Sequence, residues 1–451
     1  MPEDVHTLLR RMFTAYKDRE EKARRKNTEK LIDFYNGDQT KYTKQYITLE
    51  KLDDFPFYAT NVTKRIINKV SEVYKLAPIR VFEQNQDEKY NKIAEKKSVR
   101  MKVVERMANL LGVVGVRPVV RERDGKKYLD YVLLRDFTAF FDAKDPLKPK
   151  AILYEIQQDS DEKFYEFWTD EYHLLLNNDR VRVSPEKLGL DFEEENPYGV
   201  IPFAWCHSEQ IIDDFYNTAG NADDLIEANL HINLMLSEFA HKYRYVAFNQ
   251  PYIVGVDPTA SDINYGYNEA IVISDPEATV GTLTTQADFN KDIEALKFQI
   301  QLIERNYHLS LRWGLSGSTS GFQLIIENID HYDDLKNARD VAKEWEQEII
   351  DMERVIGETE GVKIPQGELA VDFAEVSQPI SQQEKNQKWE FEFTHKLATR
   401  EDYWREENPD ITDEELEAKH QGIVEGLERQ KEAEKAGRTA PTIEDLLGTT
   451  D

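Results

Sequence analysis

The chain has 451 residues, 40% hydrophobic and 11% aromatic, with a net charge of −28 and one cysteine, Cys206. That length has room for more than one compact unit, and the charge excludes tight, sequence-independent gripping of DNA while leaving close passage of DNA open. A single cysteine excludes a disulfide framework and a cysteine-rich metal site, no run of about 18 apolar residues could span a membrane, and the Met-Pro-Glu-Asp start has no apolar leader core.

In chain order, residues 5–36 read as one locally basic helix. It carries Arg10, Arg11, Lys17, Arg19, Lys22, Arg24, Arg25, Lys26 and Lys30, and stops at Asn36-Gly37-Asp38. A solvated surface helix is the plain reading; contact with an acidic partner or DNA is the sharper one. Residues 61–77 read as an amphipathic helix on Val62, Ile66, Val70, Val73 and Ala77, closed by Pro78, and residues 88–111 as another. From 117 to 183 the pattern changes to strands. Asp124-Gly125 marks a hairpin turn between 117–122 and 128–134. Short strands are expected at 137–141, 151–156, 164–168 and 172–176. The fold class expected here is α+β with an antiparallel sheet.

Residues 221–245 read as a long helix on Leu225, Ile226, Leu230, Ile232, Leu236 and Phe239. A strand-and-turn segment follows from Gln250, broken at Asp257-Pro258, Gly266 and Asp275-Pro276. Helical spacing resumes over 288–312. Next comes the loop Gly314, Leu315, Ser316, Gly317, Ser318, Thr319, Ser320, Gly321, and then a third helix to about 353. Two long helices around a small β module make a strut with a cap, which suits a wall or tube. Short strands are expected near Val362 and over 369–373. Charged helices are expected at 381–396, 400–406 and 413–435, and 437–451 should be disordered or partner-ordered.

Chemistry-bearing patterns are few. There is no P-loop, HExxH or EF-hand sequence, and the Gly317–Gly321 run lacks the lysine of a phosphate cradle. Asp330, His331, Asp333 and Asp334 form the one acid/His cluster. A divalent-metal hydrolase would use it, but adjacent helical residues face different ways. Cys206 and His207, as strand neighbours, point to opposite faces. Asp257, Asp262 and Glu269 make the β insert acidic. Lys242 and Arg244 form a small cationic island that faces DNA or caps a helix end.

The order of several phrases resembles the portal proteins of siphophage-type tailed bacteriophages over about residues 28–425. Leu31-Ile-Asp-Phe-Tyr-Asn-Gly-Asp38 is similar to the family's N-terminal segment. Thr60-Asn61-Val-Thr-Lys-Arg-Ile-Ile-Asn-Lys-Val70, then Leu76-Ala-Pro-Ile79, resembles its following helix and Pro-containing phrase. Asn196-Pro-Tyr-Gly-Val-Ile-Pro-Phe203 resembles the family's entry to the stem. Ser320-Gly-Phe-Gln-Leu324 resembles the phrase after its tunnel loop, with Gln323 in place of a small residue. Pro379-Ile-Ser-Gln-Gln-Glu384, Leu397-Ala-Thr-Arg-Glu401 and Asn408-Pro-Asp-Ile-Thr-Asp-Glu-Glu415 resemble its crown.

The resemblance implies a portal fold with an α+β wing, long-helix stem, β-rich clip and helical crown. On this chain that gives N-terminal helices and wing at 1–210, stem helices at 211–247 and 288–313, clip at 248–287 and tunnel loop at 314–321. A long wing helix with short strands would occupy 322–380, the crown 381–436 and the tail 437–451. It further implies a dodecameric ring at one capsid vertex, a channel for double-stranded DNA in packaging and ejection, and no catalytic residue, cofactor or membrane contact. The implied partners are other copies of the chain, DNA, the terminase large subunit, head-completion or adaptor proteins, and the major capsid and scaffolding proteins. The implied locations are the virion and, during assembly, the host cytoplasm. Gly314–Gly321 would then line the channel, with Lys242 and Arg244 as channel or clip cations and Asp257, Asp262 and Glu269 as a partner surface of the clip.

Overall fold

The computed structural model of the chain describes residues 5–47, 57–82, 87–142, 144–156, 162–179, 181–188, 194–247, 250–254, 279–283, 288–309 and 329–374, with 389–390, 394, 399 and 404–405. The fold is mixed helix and sheet, α+β. The segment read as one helix over 5–36 is two, α1 (Val5–Tyr16) and α2 (Arg19–Asn36). Asp18 between them is extended, and its carboxylate accepts the Glu20 N–H at 3.0 Å. That cap starts a new helix inside a basic run where periodicity alone shows no break. α2 ends at Gly37 in the left-handed region.

After α3 (Thr40–Tyr46), α4 (Val62–Val70) is capped by the Asn61 side chain, which accepts the Lys64 N–H at 2.8 Å. It stops short of residue 77. The buried Glu105 carboxylate takes the N–H groups of Val73 at 2.8 Å and Tyr74 at 3.1 Å, satisfying them outside a helix. β1 (Ile79–Phe82) follows. The helix expected over 88–111 is also two, α5 (Asp87–Ile93) and α6 (Lys97–Leu111), and the break turns Lys97 into the core. α6 ends at Gly112, with φ +87° and room for no Cβ: one would sit 2.4 Å from the Asn217 carbonyl oxygen.

The strand region forms two antiparallel sheets. β2 (Val113–Arg123) and β3 (Lys126–Leu134) join through Asp124 and Gly125, both at positive φ, as the sequence indicates. β4 (Thr138–Asp142), β5 (Asp145–Ile156), β6 (Phe164–Trp168) and β7 (His173–Asn177) make a four-stranded meander. β8 (Ala204–His207) returns to pair with β2, giving the order β3-β2-β8. Leu8, Leu9, Met12 and Phe13 of α1 cover one face of the meander. Its other face meets the smaller sheet in an aromatic layer of Phe137, Trp168, Phe203 and Phe215.

The rest of the described chain is mostly long helix. α7 (Asp223–Ala247) leads to β9 (Gln250–Val254), β10 (Thr279–Leu283) and α8 (Phe289–Asn306). α8 ends before residue 312, because His308 is left-handed at φ +48° and Leu309 N–H turns back to the Glu304 carbonyl. α9 (Ile329–Glu360) has 32 residues, a rod about 48 Å long at about 1.5 Å per residue. The strand expected near Val362 is instead the turn that closes α9: Val362 N–H bonds the Gly357 carbonyl, and Gly361 is left-handed. β11 (Leu369–Asp372) pairs with β1. The main core joins α2, α4, α6, α7 and α9 to the three-stranded sheet.

Contacts divide the chain into two compact units, residues 1–313 with 327–376, and residues 314–326 with 377–451. All elements above lie in the first. No helix among the described residues is long and apolar enough to cross a membrane.

Candidate functional site

The described parts of the α7–β9–β10–α8 segment pair antiparallel, helix with helix and strand with strand. At the open end, Tyr307 after α8 donates its hydroxyl to Asp224 at 2.7 Å, at the start of α7. At the far end Lys242 of α7 donates to Asp292 of α8 at 2.7 Å, and Phe239 packs edge-on against Phe289. These pairs run antiparallel. The ribbon continues the same sense, with Gln250 opposite Leu283 and Val254 opposite Thr279. Among the described residues the segment thus holds an antiparallel helical pair and, between its helices in the chain, an antiparallel two-stranded ribbon. At about 1.5 Å per residue, the 25 residues of α7 span about 37 Å.

One face of α7 is polar yet buried. Asn229, Asn233 and Ser237 are fully buried at four-residue spacing. Tyr58 N–H donates to Ser237 Oγ at 3.0 Å and Thr60 N–H to Asn233 Oδ1 at 2.8 Å. Asn229 Nδ2 donates to the Thr60 carbonyl at 2.9 Å and its Oδ1 accepts the Thr63 N–H at 2.9 Å. Asn233 Nδ2 reaches Gln39 Oε1 at 2.6 Å. Four helical residues rise about 6 Å, close to the roughly 6.6 Å spanned by two residues of extended chain. A helix face with small amides at that spacing can therefore hold a strand-like backbone. Segment 57–63 is strapped to α7 in this way.

α9 is fixed differently. Glu346 and Glu353 lie seven residues apart on one helical face, fully buried, as is Lys97. Arg80 of β1 grips Glu346 with two bonds, Nε to Oε2 at 2.9 Å and Nη2 to Oε1 at 2.6 Å. Lys97 Nζ lies 3.1 Å from Glu346 and 2.9 Å from Glu353. Tyr74 donates to Glu346, and Tyr90 and Tyr131 donate to Glu353. Burial alone would raise the Glu346 carboxyl, but Lys97 and Arg80 hold it well below the usual carboxylate range. The two cations and two carboxylates balance, so the cluster is a neutral clamp.

The predicted residues fall as follows. Lys242 is described and bonds Asp292, so it ties helix to helix. Arg244 lies in α7, with its side chain outside the described residues. Gly314, Leu315, Ser316, Gly317, Ser318, Thr319, Ser320 and Gly321 lie outside the described residues, as do Asp257, Asp262 and Glu269, the 381–436 region apart from isolated positions, and the 437–451 tail. The acid/His cluster does not converge. Asp334 accepts from His308 at 2.7 Å, Asp333 pairs with Lys336 at 2.7 Å, and His331 is buried with Nε2 unpartnered. Among the described residues no three His, Cys, Asp or Glu side chains are arranged to hold a metal ion. Cys206 is buried, its thiol pushed up by burial, while His207 on the opposite side of β8 bonds the Phe215 carbonyl at 2.9 Å.

Sequence reasoning missed the strap and the clamp. Each left a sign: small amides every fourth residue of an apolar helix for the strap, and two glutamates a heptad apart beside Trp345 and Ile349 for the clamp. In comparison with known proteins, no family model matches the chain and no curated protein matches it.

Proposed function

We propose that the chain is a portal subunit of a tailed bacteriophage, with a portal fold of wing, stem, clip and crown. It assembles a dodecameric ring at one capsid vertex, whose channel passes double-stranded DNA during packaging and ejection. It is not an enzyme; a separate terminase supplies ATP hydrolysis and docks on the ring, as do head-completion proteins, while the major capsid and scaffolding proteins surround it. The observation that carries the reading is the element order α7–β9–β10–α8, a long antiparallel helix pair with an antiparallel β ribbon between its helices in the chain, followed by the 32-residue α9. It stands in the order in which the sequence phrases resemble the family. In this reading α7 and α8 are stem, β9 and β10 belong to the clip, and the sheets are wing.

Exposure on α8 supports assembly. Phe298 is 55% exposed and Leu302 38%, four residues apart on one helical face. A lone subunit leaves that apolar face in water, where a ring would cover it. The test is native mass spectrometry with negative-stain microscopy of purified protein. The expected result is a closed ring of about twelve copies; monomer at every concentration would sink the reading.

A further inference from the structure

A second surface bears on how copies meet. Asp130 of β3 is 4% exposed and is surrounded by three cations from two other elements. Arg100 of α6 bonds it through Nε at 3.0 Å and Nη2 at 3.4 Å. Arg121 of β2 reaches it at 3.1 Å, and Lys96, just before α6, at 3.8 Å. Burial would raise the Asp130 carboxyl, but hydrogen bonds from Arg100 and the Tyr131 N–H, with the charges of Arg100 and Lys96, bring it below its ordinary value. One carboxylate thus positions three cations and neutralises one charge of them. A guanidinium has five N–H donors, so the Arg100 and Arg121 side chains, 44% and 53% exposed, keep donors facing outward. The cluster is preset for a further anion.

The neighbours of these cations select the kind of anion. On α6, Val99 is 66% exposed and Val103 41%, beside Arg100; Val132, two residues from Asp130 on the same face of β3, is 38% exposed. A nucleic-acid backbone offers phosphates but, beyond its sugar C–H groups, little apolar surface to cover valines. Exposed arginines with exposed valines in the same or paired elements suit a protein surface that brings carboxylates with apolar groups. The chain itself has 86 acidic against 58 basic residues, so another copy supplies carboxylates in excess.

We propose that this α6/β2–β3 face is a contact between copies of the chain, received by an acidic face on the next subunit; the proposal rests on the ring reading and adds the surface that closes it. A cationic patch repels its own image, so it cannot lie across a two-fold axis. Association through it is head-to-tail, and a head-to-tail contact whose rotation closes makes a ring.

The test compares wild type with Arg100→Glu/Arg121→Glu and with Val99→Asp by sedimentation velocity and native mass spectrometry at low salt. Val99 is 66% exposed, so Val99→Asp should keep its circular dichroism spectrum; Arg100 and Arg121 pair with the buried Asp130, so where the arginine variant loses its fold the Val99→Asp arm decides. Wild type should give rings. Both variants should stay small at the concentration where wild type is fully assembled, needing at least tenfold more protein. The exposed Lys148→Glu, on β5, should assemble like wild type. Added salt should weaken wild-type assembly. Intact rings from both variants overturn the contact while leaving the ring reading standing. Wild type that remains monomeric, or pairs only as a two-fold dimer, sinks both. A short DNA duplex that binds wild type but not the arginine variant, with rings unaffected, assigns the face to nucleic acid and overturns the proposal.

Discussion

α8 and α9 are both long helices, yet the molecule holds them by opposite means. α9 is clamped along its middle by fully buried charges and packed through Ala342, Trp345, Ile349 and Ile350. α8 has Ile303 as its buried residue, packs Leu296 and Ile300 against the core only in part, and is tied to α7 near its ends by Lys242–Asp292 and Asp224–Tyr307. Phe298 and Leu302 meanwhile stay in water. A helix fixed by its own subunit has no surface to offer. A helix covered on one side only, with apolar side chains outward on the other, leaves part of its apolar surface in water. Under the proposed ring assembly, the contrast separates the part of the chain that is packed by its own residues from the part that neighbouring copies would cover.

The strongest way to break the contrast is to remove the clamp. Lys97→Met leaves Glu346 and Glu353 buried with only Arg80 to balance them. Removing one partner of a buried ion pair costs about 3–5 kcal/mol. Urea denaturation should show that loss; a change below about 1 kcal/mol would mean that α9 is held by apolar packing alone.

The pH behaviour of Glu105 sharpens the same point. Burial pushes its carboxyl up to about 7, against the pull of the Val73 and Tyr74 N–H groups and Arg106. Its folded pKa lies above its unfolded value, so its contribution is fully present at low pH and is lost as pH rises through about 7. At about 1.36 kcal/mol per unit, the shift amounts to about 3 kcal/mol. Wild type should therefore lose about that much relative to Glu105→Gln between pH 4.5 and 8. Parallel stability curves for the two proteins would rule this out. Glu105 is also what ends α4 early, so the variant should loosen residues 71–74 as seen by hydrogen exchange.

The strap comes next in size. Asn233→Ala leaves the Thr60 N–H and the Gln39 Oε1 without their Asn233 partner. An unsatisfied buried group costs about 1–3 kcal/mol. Thermal unfolding should shift accordingly, and the Thr60 amide should exchange faster. Unchanged exchange at Thr60 would mean that segment 57–63 is held elsewhere.

These features mark the limit of what the sequence discloses. The α+β class, β6 at 164–168, the Asp124-Gly125 turn and α7 and α8 within a few residues at their starts were legible, since each rests on local periodicity or turn chemistry. The breaks at Asp18 and at 94–96, and the early end of α4, were not. The first depends on one side-chain cap, the second accompanies the turn of Lys97 into the core, and the third depends on Glu105, distant in sequence. Charge partners are also non-local. Lys242 reads as a DNA-facing or helix-capping cation because its partner Asp292 lies 50 residues on, and nothing near Glu346 in the sequence points to Arg80, 266 residues away.

The smallest effect tests the exposed side of the contrast. Lys242 and Asp292 meet at 2.7 Å with side chains 43% and 34% exposed, and the Lys242 ammonium stands 5.9 Å from the Phe289 ring centre. An exposed pair of this kind contributes roughly 0.2–1 kcal/mol and weakens with salt. A double-mutant cycle of Lys242→Ala and Asp292→Ala, measured on dissociated subunits, should return a coupling in that range that fades as salt is added. Measured on assembled rings, the coupling should be larger and less salt-sensitive if neighbouring copies exclude water from this part of the hairpin, because desolvation strengthens a pair that is already aligned. Equal couplings in the two states would place Lys242 at a solvent-facing position even in the ring. The far end of the α7–α8 hairpin would then take no part in contacts between copies.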